Sequence, residues 1–481
     1  MTGLPVGLLL IFSLFVVFYI LRRRPLRSKD PLNVDDHLPL PELAQTSTVF
    51  SLTALFGAYL GVAVTLGLPG LGGLATGTVL GLIIVRRWIH RTIGDPSQNG
   101  KSFEDFLSAV FKGKNTNATF YSFLIPGIQC VYAASELLIL RELGRRAFGF
   151  SHEQATLWAI AVAMLGYFYV VFGGYEAVFR TDVIQLFFVI PMAIVLGVGL
   201  LIYHPQISWT TRLFPPPRFW NFKLLGSGPP LYIYHFIFAA VMALGLLLVS
   251  PDTWKRVFQV SKRKRSPATR MLTFAGVGIL PYAVLFPFVL TINPNLDGGK
   301  KGVTIPAGLS QKGLFMAAAL ALVASFLSAF NSAMLASVHV GIIAKRKYSS
   351  VTHEETRFYW LMVIVLCAIC SIFVSGLVAF GHPWAFGFNN PWLLGTVLMG
   401  PYAIVAGVQI GTLGDISRLR RDSLIWIFAI TMAGWLIYLY LVGAFFEKPT
   451  YDSMNTVPAG VLICFATALL SRLSVAGDSK I

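Results

Sequence analysis

The chain has 481 residues, of which 56% are hydrophobic and only 12% charged, with a mean hydropathy of +0.70. Soluble globular chains carry about twice that charged fraction, so composition excludes an ordinary soluble domain. The formal net charge of +17, from 38 Lys and Arg against 21 Asp and Glu, fits either a nucleic-acid binder or a membrane protein with cationic inner loops.

A bilayer core of about 30 Å needs roughly twenty apolar residues per helix, and the chain offers about thirteen such stretches. The first, 4–21, has no basic residue before it, is followed by Arg22, Arg23 and Arg24, and lacks a small-residue cleavage site. It reads as a retained anchor rather than a signal peptide. Spans 49–69 and 71–87 follow, joined almost without a loop at Gly67-Leu68-Pro69-Gly70. Within 96–117, Phe103, Phe106, Leu107, Val110 and Phe111 recur at helical spacing, giving an amphipathic helix expected along the inner membrane surface. Further spans are expected at 118–140, 155–173, 183–203, 231–250, 270–292, 313–343, 358–380, 391–413, 424–444 and 457–473. The segment 204–230, with Pro215, Pro216, Pro217, Trp209 and Trp220, suits an outer interfacial loop.

Charge placement decides between the two readings of the basic excess. With the N-terminus outside and the spans alternating, inner segments hold 28 of the 38 Lys and Arg and outer loops hold 10. That asymmetry obeys the positive-inside rule, whereas a nucleic-acid site would gather its charge on one domain. The expectation is a multi-pass protein of a cytoplasmic-type (inner or plasma) membrane, with its C-terminus inside and no nucleic-acid partner. Cys130, Cys367, Cys370 and Cys464 all lie in apolar runs and read as packing residues, not a metal site. No phosphate-binding P-loop is present, so any transport would draw on an ion gradient, on an accessory subunit, or on no energy source at all.

Four segments resemble the sodium/solute symporter family: GGYEAVFRTDVIQ at 173–185, ASFLSAFNSA at 324–333, PDTWKRVF at 251–258 and SFEDFLSAVF at 102–111. The resemblance implies an all-α core of leucine-transporter type, two inverted repeats of five helices at about 49–203 and 231–413. Residues 1–46 would then form the anchor and linker, 47–413 the core, and 414–481 two added helices with a short tail. In such folds solute and ion sit near the midplane, where the first helix of each repeat is broken.

Gly57, Gly61, Gly67 and Gly70 either break the first core helix, freeing carbonyls for a cation, or let helices pack closely. Ala321, Ser325, Ser328 and Ser332 share one helix face, which serves either packing or ion binding. The resemblance implies ion-binding carbonyls at Gly57, Leu60 and Ala321 with the hydroxyl of Ser325. It also implies a second serine at position 324, where this chain has Ala324; Ser328 or water would have to fill that gap. Glu136 is either a proton-carrying acid or an ion-pair partner of Arg141. Asp182, beside Arg180, is either a helix N-terminal carboxylate or part of the ion's inner exit path. Arg256 is expected at the inner gate, and Val64, Ala243 and Leu246 along the substrate cavity. The apolar character of Ala243 and Leu246 disfavours a sugar, whose hydroxyls would go unpaired.

These readings converge on a secondary active transporter, cation-coupled solute symport by alternating access, for a small organic solute other than a sugar. The alternative is a transporter-like sensor or regulatory subunit that binds solute without moving it. Neither is an enzyme, and no cofactor is expected beyond Na+ or H+ as coupling ion.

Overall fold

The computed structural model describes residues 52–110, 116–164, 232–262, 391–441 and 457–475, apart from Asp415, together with isolated positions between 194 and 286. Among these residues the secondary structure is helical, with one isolated antiparallel bridge between Leu419 and Val475. The anchor 4–21 and the spans 183–203, 313–343 and 358–380 lie essentially outside the described residues.

Helix α1 (Leu52–Ile93) carries no charge before Arg86. Its 42 residues would extend about 63 Å at 1.5 Å per residue, twice a bilayer core, so one straight span is impossible. The break falls at Gly67, with φ 66° and ψ −152°, a backbone conformation open to glycine and closed to most side chains. Pro69 then sits in the first turn of the restarted helix, where its missing N–H costs little. The second part, Gly67–Ile93, is long and apolar enough to cross a membrane, and it continues past the expected end at residue 87.

Helix α2 (Phe103–Val110) is short, and helix α3 (Thr116–Phe148) is long, with Pro126 inside it. Ser102 caps α2, its hydroxyl accepting from Asp105 N–H while the Asp105 carboxylate accepts from Ser102 N–H. Helix α4 (Tyr232–Val249) meets α5 (Pro251–Lys262) at an 80° bend. The bend is encoded locally. Ser250 caps α5 by accepting from Thr253 N–H, Pro251 occupies the first helical position, and Asp252 adds a carboxylate to the first turn. This element was not among the expected ones: 251–270 reads as a basic inner connection, and its polarity hides a helix whose face is buried by the protein.

Helices α6 (Pro391–Thr412), α7 (Ser423–Leu441) and α8 (Val457–Leu473) complete the described part. They match the expected spans 391–413, 424–444 and 457–473 to within three residues at either end. Among the described residues, Gly67–Ile93 and Ser423–Leu441 have the length and composition to cross a membrane, and the bent pair His235–Val249 with Pro251–Lys262 makes a third candidate.

Small residues bring the helices together. Gly73, Gly77 and Gly81 recur every fourth residue of α1 against α4. A Cβ at Gly73 would overlap the Phe236 carbonyl, one at Gly77 the Ala240 carbonyl, and one at Gly81 would stand 2.7 Å from Leu247. Such stripes let membrane helices pack backbone to backbone. Gly407 and Gly411 of α6 do the same against the Cys464 and Ala468 carbonyls of α8. Trp435 of α7 is fully buried over Gly400, beside Leu439. The other side of α7 and α8 exposes Trp426, Ile430, Leu441, Leu462, Phe465 and Leu469, an apolar surface suited to lipid.

Candidate functional site

The elements converge at one end of the described helices. The C-terminal turns of α1, α4, α6 and α8, the N-termini of α3 and α7, and all of α2 and α5 meet there. Trp88 of α1 is the hub: its ring lies 5.0 Å from Phe106 of α2 and 4.8 Å from Trp254 of α5, both edge-on. Its indole also lies against Gly414, whose φ of 83° and Gly414 N–H to Gln409 carbonyl bond (2.8 Å) close α6 with a left-handed cap. Asn117, fully buried at the start of α3, works as a backbone mimic. It donates to the Arg420 carbonyl at 2.7 Å and accepts from Leu424 N–H at 3.1 Å, satisfying a helix-end donor of α7. Arg420 N–H in turn bonds the Ser474 carbonyl after α8, at 3.0 Å.

Helix α2 gives its apolar face to this cluster. Phe103, Phe106, Leu107 and Val110 are buried, with Phe103 5.7 Å from Phe258 of α5. The helix expected along the membrane surface therefore has its apolar face covered by protein. Helical spacing reveals that a face is apolar, not what covers it.

The charged part of the site is on α5. Arg256 is 1% exposed, and its Nε lies 2.8 Å from Oδ2 of Asp252, one turn earlier and itself buried. Lys255 is buried as well, its ammonium 5.9 Å from the centre of the Phe103 ring. A charge pair at this depth is held by its partners, because a lone buried ion is costly.

Beside it lies a polar junction that the sequence reading passed over. The last carbonyls of α4 lack intrahelical partners, and side chains from three other helices supply them. Leu248 O accepts from Gln409 Nε2 at 2.9 Å and from Trp254 Nε1 at 3.1 Å; Val249 O accepts from Gln129 Nε2 at 3.2 Å. Gln409 Nε2 also donates to the Tyr121 hydroxyl at 2.5 Å. Gln129, Tyr121 and Gln409 are all buried. A search for intramembrane charge misses such neutral amides; a search for any amide side chain within an apolar run would have found both glutamines.

Of the residues singled out from sequence, Arg256 belongs to this site. Ala243 is fully buried on α4 and Leu246 half-buried on the same helix. Glu136 lies on α3, with its side chain outside the described residues. Gly57, Leu60 and Val64 lie in the first part of α1, where the backbone alone is described. Asp182, Ala321, Ala324, Ser325 and Ser328 lie outside the described residues.

No family model matches the chain, and no curated protein matches it in sequence. Solved structures match its fold. A Na+-coupled sialic acid symporter, in a substrate-bound outward-open state, aligns with a TM-score of 0.65 at 16% identity, covering 98% of this chain and 97% of that one. MhsT in complex with L-phenylalanine aligns with a TM-score of 0.50 at 13% identity, covering 90% of this chain and 97% of that one. The chain has the fold of leucine-transporter-type membrane transporters. At these identities the likeness is one of fold, and in the first case it runs nearly end to end, so it is not a local match.

Proposed function

We propose that the chain is a secondary active transporter that couples a small organic solute to a cation by alternating access. The observation carrying this reading is the fold shared over 98% of the chain with a Na+-coupled symporter. The four family-like segments add support, since they occur in order within the 47–413 core. The solute is proposed to contact Val64, Ala243 and Leu246. Their apolar character favours a compact molecule with an apolar part over a polyhydroxylated one.

The cation is proposed to bind the carbonyls of Gly57, Leu60 and Ala321 and the hydroxyl of Ser325, with Ser328 or water as a further ligand. Glu136 is proposed to take and release a proton during the cycle, and Asp182 to line the ion's exit. Replacing Glu136 by Gln removes the titrating group and keeps its shape. The expected result is uptake that no longer responds to an imposed pH gradient; a full response in Glu136→Gln would assign the proton path elsewhere.

The overall test is reconstitution in liposomes. Solutes that raise the thermal stability of the purified protein, with and without Na+, are assayed for uptake driven by an imposed Na+ or H+ gradient. Gradient-driven accumulation is expected. Saturable binding with no uptake under either gradient would overturn the transporter reading in favour of a sensor.

A further inference from the structure

We infer that Gln409 is a positioning residue of the inner gate: its amide locks the α4–α5 corner to α3 and α6, and releasing it accompanies opening at that end. The inference rests on the transporter reading for the word gate, and on geometry for the lock.

Gln409 lies in the last turn of α6 and is fully buried. Its Nε2 donates to two different elements, Tyr121 on α3 at 2.5 Å and the Leu248 carbonyl of α4 at 2.9 Å. The Leu248 carbonyl leaves the end of α4, one residue before the chain turns through 80° into α5. Trp254 of α5 donates to the same oxygen. One side chain thus joins α6 and α3 to the end of α4, and α5 reaches the same junction through Trp254. Helix α5 also carries the Asp252–Arg256 pair and sets Trp254 edge-on to Trp88. A rigid-body movement of the α4–α5 corner away from α6 must break the bond from Gln409 to the Leu248 carbonyl, and no such movement can be completed while it holds.

The lock is separable from packing. Where α4 crosses α6, the missing Cβ of Gly245 would stand at ordinary contact distance from the Tyr402 carbonyl (3.4 Å) and the Ala406 methyl (3.7 Å). That contact between small residues persists if the amide is replaced by an apolar chain of similar length. Gln409 also carries no charge, so the lock is set by hydrogen-bond donors alone.

Hydrogen exchange on the full-length protein in lipid nanodiscs tests this without any solute. In Gln409→Met, amides of 249–256 are expected to exchange about tenfold faster, the loss of roughly one net hydrogen bond, while those of 423–441 in α7 stay unchanged. Tyr121→Phe keeps the ring and removes one acceptor, so a smaller rise confined to 249–256 is expected; it decides the matter if Gln409→Met does not fold. Unchanged exchange at 249–256, or an equal rise in α7, overturns the lock. Uptake is scored separately. A local rise in a protein that moves no solute leaves the lock standing and removes the transporter reading; uptake in the native chain with no local rise does the reverse.

Discussion

Arg256 shows how much a single buried charge depends on its partner. Truncating it to Ala leaves the Asp252 carboxylate buried, 7% exposed, with its cation gone. Breaking a buried pair from one side costs about 3–5 kcal/mol, whereas removing both charges is far milder. Arg256→Ala is therefore expected to lower thermal stability sharply, and Asp252→Asn with Arg256→Gln to recover most of it. Comparable losses in the single and double variants would show that the pair is not coupled as described. Position 324 carries a second prediction at this scale. In the proposed cation site a serine hydroxyl is the ligand that Ala324 would leave missing, and one neutral oxygen is worth ~1–3 kcal/mol to a buried polar partner, roughly a ten- to hundredfold change in affinity. Weak sodium dependence of uptake is expected in the native chain and a gain in Ala324→Ser. Tight, saturable sodium dependence without the substitution would show that the ligand set is wrong.

Among elements, the α1–α4 contact sets the tightest steric condition. Gly77 admits no Cβ because the Ala240 carbonyl occupies the place one would take. Gly77→Leu is expected to destabilise by at least about 1–3 kcal/mol, the usual cost of overpacking, seen as early unfolding in detergent. Gly127 of α3 is the control. It is exposed, with nothing within 4 Å of where its Cβ would stand, so Gly127→Ala should be neutral or stabilising through better helix propensity. Equal effects at the two positions would deny the close crossing. Helix α5 teaches the complementary lesson. Its start signals, Ser250 and Pro251, are plain in the sequence, yet its basic residues make it read as a loop. They tolerate burial because Asp252 and Phe103 receive two of them.

For the molecule as a whole, the charge count makes a geometric demand. With the N-terminus outside and the spans alternating, connections 86–117, 251–270 and 414–423 and the tail after 473 all fall on the inner side. In the structure the described parts of these segments meet at one end, through Trp88 with Phe106 and Trp254, Asn117 with Arg420 and Leu424, and Arg420 with Ser474. These contacts gather the described parts of the four segments at one end of the helices. The side of the membrane is predicted from charge: single cysteines in 251–270 should react only with reagent inside, and those in 204–230 only with reagent outside. The reverse pattern would invert the topology.

Sequence alone carries the membrane-type composition, the bounds of most described helices, and the glycine cluster in which the break at Gly67 falls. Those features follow from local quantities, namely runs of apolar side chains, loop charge, and the backbone freedom of glycine. It also placed Arg256 in a family-like segment without indicating its partner. Packing alone reveals that α2 lies on protein, that α5 is a buried helix, and that Gln129, Trp254 and Gln409 satisfy the carbonyls at the end of α4, with Tyr121 accepting from Gln409. Gln409 lies 161 residues from the carbonyl it satisfies and 288 from the hydroxyl it meets. A hydrogen bond between neutral groups so far apart leaves no periodicity and no charge imbalance along the chain; it exists only once the helices that carry them have packed.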